Sequence, residues 1–260
     1  MRSVRWGDLT AEDLREAARA NALVVLPLGC TEQHALHLPV DTDTYQVDRL
    51  TSEGARRAAE RYGVEVVVLP PIPYGPAAEH YGYPGTISLP NDVYIQLVKS
   101  VLWSAMESGF RRLAVVAGCG GHFVVPGAIW DLKADASRAG RDVVVRRLPV
   151  DQEWRGLKEK HFPGTDGGHA AVMETALCLA YREPLVHRER IRRPALRMFS
   201  ERYRDGGEAF LFSEVTDTGA LGDPSPATAE GGRALWEDMT DAFAAKLKSL
   251  EDQDRELGRM

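Results

Sequence analysis

Glu32 and His34 stand two positions apart in the run Gly29-Cys30-Thr31-Glu32-Gln33-His34-Ala35-Leu36-His37-Leu38-Pro39, and Asp43 follows nine positions after His34. Carboxylate, imidazole and thiol donors together suit a divalent transition metal, whereas Mg²⁺ or Ca²⁺ would draw on oxygen alone. The chain holds seven histidines, and their placement is uneven. His34 and His37 lie in that first run, and His80 closes Tyr74-Gly75-Pro76-Ala77-Ala78-Glu79-His80. His122 ends Ala117-Gly118-Cys119-Gly120-Gly121-His122; His161 and His169 come later, the latter between Asp166-Gly167-Gly168 and Glu174. The glycines beside these residues let backbone approach a ligand closely.

Each residue also has a plainer role. Asp43 precedes a helical run and suits an N-cap. Cys30, Cys119 and Cys178 suit small buried apolar positions, and for Cys30 and Cys178 that is the preferred reading. A histidine beside a strand end is commonly just hydrogen-bonded, and Glu-x-His alone is a weak metal signal. The joint pattern decides for chemistry: Glu32-x-His34, then Asp43, then further donors after two later strands.

Those strands are the β-branched runs at 22–27, 64–70, 113–117 and 142–148, whose composition predicts burial on both faces. Between them lie helical patterns. Thr10 and Asp13 form a capping box opening a helix over 11–20, and a second helix covers 44–62. Asn91 or Asp92 caps a third, with Val93, Leu97, Val101 and Ala105 along one face; Leu235, Met239, Phe243 and Leu247 form another stripe near the end. Strand followed by helix, repeated, predicts an α/β fold with a mostly parallel sheet, in one domain over 1–260. Loops at the carboxyl ends of such strands converge on one crevice. Every histidine but His187 is expected there, with Glu32, Asp41, Asp43, Asp166 and Glu174.

Composition excludes other classes. With 27% charged and 44% apolar residues the chain reads as an ordinary globular protein, and a net charge of −6 offers no footprint for nucleic acid. The basic run at 187–193 reads as a solvated helix end. No apolar stretch approaches the ~20 residues that span a bilayer, and the first residues lack the apolar segment of a signal peptide. Three cysteines make no disulfide framework, which predicts a reducing, cytoplasmic setting.

Taken together, these blocks resemble the creatininase family of metal-dependent hydrolases. The resemblance rests on Pro27-Leu28-Gly29 through Pro39 with Asp41-Thr42-Asp43, on Tyr74-Gly75 with Glu79-His80, and on Tyr83-Pro84-Gly85-Thr86-Ile87-Ser88. It continues through Asp166, His169-Ala170, Glu174-Thr175 and Gly219-Ala220-Leu221-Gly222-Asp223-Pro224 with Ala227. It implies a three-layer α/β/α sandwich, a homo-oligomer, commonly a hexamer, and a two-metal centre of zinc or manganese, sometimes iron. Glu32 and Asp43 would hold one metal, and His34 with the bridging Asp43 the other. Creatinine-cleaving members complete the second site with a glutamate at the position of Gly121 here, so Glu174 takes that part.

The departures from the family pattern are specific. Where the family has Asn-Gly-His-Gly-Gly-Asn, this chain has Ala117-Gly118-Cys119-Gly120-Gly121-His122. Cys119 therefore stands at a ligand position, and thiolate binds zinc or ferrous iron well; the alternative is an inert Cys119 with His122 reaching in. A tryptophan of the creatinine-cleaving members corresponds to Thr165 and a serine to Ala77, so creatinine is not the expected substrate. The expected reaction is metal-assisted attack of water on a carbonyl carbon of a cyclic or linear amide in a small molecule. His169, held by Asp166, would give a proton to the leaving nitrogen, while His37 and His80 orient ligands or line the pocket. Family relatives that open keto-cyclitol rings by C–C cleavage, trim peptides or remove formyl groups define one rival reading. A catalytically silent assembly subunit defines the other.

Overall fold

Four parallel strands arise from the four β-branched runs: β1 (Leu23–Leu28), β2 (Val66–Val68), β3 (Arg112–Ala117) and β4 (Val144–Arg147), in the order β2-β1-β3-β4. They are seen in a computed structural model that describes residues 3–148, 151–197 and 207–260. Side chains of β1 alternate between two cores, Leu23 and Val25 on one face, Val24, Leu26 and Leu28 on the other. The first face is covered by α2 (Thr42–Tyr62), α5 (Asp151–His161), α6 (Val172–Tyr181) and α8 (Ala229–Glu256). The second is covered by α1 (Ala11–Arg19), α3 (Asn91–Glu107) and α4 (Val125–Arg138). A short α7 (Phe212–Val215) lies outside these layers. This is the parallel sheet the strand and helix alternation predicts, in the three-layer α/β/α sandwich the resemblance implies. At the sheet edge β4 is only half-buried, unlike the fully buried strand expected there and unlike β2 at the opposite edge.

Chain order opens the functional crevice. After β1 the chain returns to β2 through α2 on the first face. After β2 it returns through α3 on the second face and adds β3 to the other flank of β1. The loops following β1 and β3 therefore part in opposite directions above neighbouring strands, the arrangement that leaves a ligand crevice at their carboxyl ends.

Local signals account for most helix ends. The Thr10–Asp13 capping box is formed, with Thr10 N donating to Asp13 Oδ2 at 2.8 Å and Asp13 N to Thr10 Oγ1 at 3.3 Å. In α3 the cap is Pro90 rather than Asn91 or Asp92. Its buried face is Tyr94, Val98, Leu102, Ala105 and Met106, one position on from the expected stripe, and Val93 is 48% exposed. The larger apolar volumes of Tyr94, Leu102 and Met106 win the interior, and Leu97 and Val101 pack its flank. The stripe Leu235, Met239, Phe243 and Leu247 is buried as expected. Beyond it, Asp254 accepts from Arg112 Nε at 2.8 Å and from an Arg146 nitrogen at 2.5 Å, tying the end of α8 to β3 and β4. No helix among the described residues is long and apolar enough to cross a membrane.

Candidate metal centre

The loop after β1 and the start of α2 supply most of the donors. Cys30, Glu32, Asp43 and Cys119 each offer one atom, and these four atoms lie within 4.8 Å of one another. His34, Asp43 and Glu174 form a second such group, and Glu32, His34 and His169 a third. Asp43 is common to the first two, the place a bridging carboxylate occupies. It sits inside the first turn of α2, whose N-cap is Asp41, so the N-cap reading of Asp43 falls. Asp41 instead accepts two bonds from Arg182, at 2.7 and 3.1 Å, fastening α2 to the end of α6.

The charge balance of the cluster calls for a cation. Burial raises the Asp43 carboxyl above its ordinary range, the nearby Glu32 charge adds to this, and His34 opposes it. Glu174 is raised likewise by burial and by Asp43. Burial alone would lower His34, yet Asp43, Glu174 and Glu32 raise it to about 10. Oδ2 of Asp43 is buried with no hydrogen-bond partner among the described residues. Crowded carboxylates, an orphaned oxygen and mixed N, O and S donors together fit divalent transition cations.

Backbone carbonyls fix the ring orientations. His34 Nδ1 donates to the carbonyl of Glu32 at 3.0 Å, which leaves Nε2, 3.2 Å from Asp43 Oδ1, as the ligating nitrogen. His169 Nε2 donates to the carbonyl of Gln33 at 2.6 Å, so its Nδ1 carries the lone pair, 3.5 Å from Glu32 Oε1. The Gln33 amide donates to His80 Nδ1 at 2.9 Å and to the Gly219 carbonyl at 3.0 Å, and His80 Nε2 faces Glu32 Oε1 at 3.2 Å. Burial would raise Glu32, but the His80 hydrogen bond and the neighbouring imidazoles of His169, His80 and His34 hold it below the usual carboxylate range.

The remaining expected residues divide. His80 touches a donor directly, as an orienting group does. His37 is buried but points to Thr175 Oγ1 at 2.8 Å, pinning the β1 loop to α6 beside Glu174; burial and the His34 charge lower it to about 4. His122 stacks on Tyr94, with ring centroids 5.5 Å apart, and its Nε2 lies 3.6 Å from Cys30 Sγ. Cys119, not His122, belongs to a donor group, its Sγ lying 3.4 Å from both oxygens of Glu32. His161 leaves the crevice altogether and pairs with Asp238 at 2.6 Å. Asp166 does not hold His169: it is exposed and faces Arg193 at 3.6 Å, and Gln33 takes the role assigned to it. At Gly121 an added Cβ would come 2.6 Å from the Pro76 carbonyl and 3.1 Å from Glu79 Oε1, so Glu174 is the carboxylate that reaches the second group. Sequence reasoning missed Gln33 and Thr175 and read Cys30 as packing; all three sit inside the quoted motifs, but an amide, a hydroxyl or a lone thiol carries no metal signal by spacing alone.

These donors open on a cavity of about 1070 Å³, walled by Leu50, Met173, Leu177, Phe212, Leu221 and Met239 among others. The family model "Creatininase: Creatinine amidohydrolase" matches residues 7–247. The chain belongs to the creatininase family. With the family comes hydrolase activity. A "Mycofactocin precursor peptide peptidase" of Mycobacterium tuberculosis is 33% identical over 247 residues, covering 90% of this chain and 88% of its own. A "3-dehydro-scyllo-inosose hydrolase" of Thermotoga maritima is 27% identical over 195 residues, covering 72% of this chain and 58% of its own. A creatininase solved in a Zn–Zn form shares the fold of this creatininase-family chain, with TM-score 0.79, 22% identity and coverage of 96% and 98%.

Proposed function

We propose that this creatininase-family hydrolase carries two divalent metals per chain and cleaves a linear amide C–N bond in a substrate with a sizeable apolar portion, a short peptide segment above all. The cavity carries this reading. At about 1070 Å³ it is far roomier than a small heterocycle needs, and beside the polar Gln46, Glu79, Arg155 and Lys158 it has an apolar side of Leu50, Met173, Leu177, Phe212 and Met239 that a polyol would leave unused. The peptide peptidase among its relatives supports the same choice.

Glu32, Asp43 and Cys119 would hold one ion and His34, Asp43 and Glu174 the other. When bound, the ions supply Lewis acidity and a water of lowered pKa. The protein does the rest. The apolar side excludes bulk water and seats the side chain flanking the scissile amide. His169 is held well below the ordinary imidazole range, chiefly by burial, so it enters neutral. Its Nδ1 takes a proton from the attacking water and then passes it to the leaving nitrogen. His80 and Gln33 keep Glu32 and His169 aligned through these steps.

A panel of blocked apolar peptides, lactams, formamides and keto-cyclitols, each with and without chelator, tests the proposal. Peptide cleavage is expected, abolished by chelation and restored by Zn²⁺, Mn²⁺ or Fe²⁺. Ring opening of a keto-cyclitol without peptide cleavage would replace it with the C–C reading. Stoichiometric metal speaks against a silent subunit, since that role needs none.

A further inference from the structure

We propose that Cys30 is a metal ligand beside Cys119, which makes the first metal position a closed site of two thiolates and two carboxylates; this rests on the metal-hydrolase reading above. Cys30 Sγ lies within 4.8 Å of the donor atoms of Glu32, Asp43 and Cys119, and the residue is fully buried. Cys178 shows what a packing cysteine looks like in this chain. It lies in an apolar cluster with Leu38, Leu179 and Val186, and its sulfur takes contacts from Thr42 and Gln46. Cys30 belongs to none of the apolar clusters among the described residues. It faces two carboxylates and a second thiol, company that favours a cation over a methyl group.

Two further observations point the same way. Oδ2 of Asp43, in the same group, is buried without a hydrogen-bond partner among the described residues. The surroundings of Cys30 are also built for its sulfur. At Gly75 an added Cβ would lie 2.8 Å from both Cys30 Sγ and His122 Nε2, so the absence of a side chain there makes room for the pair. His122, fixed by its stack on Tyr94, presents Nε2 to the sulfur at 3.6 Å, the kind of contact that orients a ligand from outside.

The consequence is a division of labour. Four protein donors close a tetrahedral site, whereas a site with three keeps a position open. The ion held by Cys30, Glu32, Asp43 and Cys119 is then a holding ion, and the open position toward the cavity belongs to the group of His34, Asp43 and Glu174. Two thiolates also select zinc, cobalt or ferrous iron over manganese at the closed position.

Cobalt(II) substituted into the full chain reads this directly. Thiolate-to-cobalt absorption is expected in the wild type, at about half intensity in Cys30→Ser and in Cys119→Ser, and absent in the double variant, as equal shares from two thiolates require. Full intensity in Cys30→Ser, or bound cobalt without the band, overturns the proposal and leaves the metal-hydrolase reading standing. A wild type that takes up no cobalt overturns both. Should the variants fail to fold, X-ray absorption of the zinc-loaded wild type decides. Averaged over two ions, about one sulfur per zinc near 2.3 Å supports two thiolates, and about half a sulfur overturns Cys30.

Discussion

Asp43→Ala is expected to leave the protein with neither ion and with hydrolysis at background, the largest effect of any single substitution in the centre. Its carboxylate belongs both to the group with Cys30, Glu32 and Cys119 and to the group with His34 and Glu174, so its removal opens both positions at once. His34→Ala removes a donor from the second group and leaves the first group's four donors intact, so metal content should fall by about half rather than to nothing. Elemental analysis of the two variants beside the wild type separates the cases. Retention of one ion by Asp43→Ala would show that the carboxylate does not bridge, and equal, complete loss in both variants would break the assignment of His34 to one position. The experiment is clean in another respect. Asp43 lies inside the first turn of α2 and makes no capping bond, so its removal takes no helix cap with it.

How much of this was legible before the structure follows from what kind of signal each residue carries. The sheet was legible because Val- and Leu-rich runs bounded by turns have few other ways to be buried, and β1, β2 and β3 fall where those runs lie. Donors close in sequence to a strand end were legible too. Glu32, His34 and Asp43 ride on one loop and one helix start, and the family pattern placed Glu174. What failed was orientation. His161 follows the fourth strand, yet α5 turns it onto α8 and Asp238. Asp166 is only three positions before His169, but the two side chains part, one to Arg193 and the other to Gln33. The burial face of α3 was displaced by one position because a nearly continuous apolar helix offers two adjacent stripes, and volume decides between them. Cys30 was read as packing because burial is what a lone cysteine shows in a sequence; its neighbours, which differ from those of Cys178, are set only by the approach of β3 to β1.

His169→Ala should lower turnover by about 10²–10⁴, the range of a general acid–base group, while leaving metal content and fold unchanged. At about 1.4 kcal/mol per decade this is roughly 3–5 kcal/mol of transition-state stabilisation. The ring stands between His34 and His80, with centroids 4.4 Å from each, and Phe212 closes its edge at 5.3 Å. The Gln33 carbonyl holds the Nε2 proton, which leaves Nδ1 as the atom that exchanges a proton. Asp166→Ala is the matched control. Its carboxylate is exposed and points at Arg193, so turnover should stay at the wild-type level, whereas a drop as large as that of His169→Ala would restore Asp166 as the group that holds the imidazole. Metal content carries a third outcome. Glu32, His34 and His169 also bring three donor atoms within 4.8 Å, so loss of an ion from His169→Ala would make the imidazole a ligand and move the proton-carrying role to another residue. Turnover measured at saturating metal, together with elemental analysis of the same samples, separates the two: a proton carrier loses rate at full metal content, and a ligand loses both.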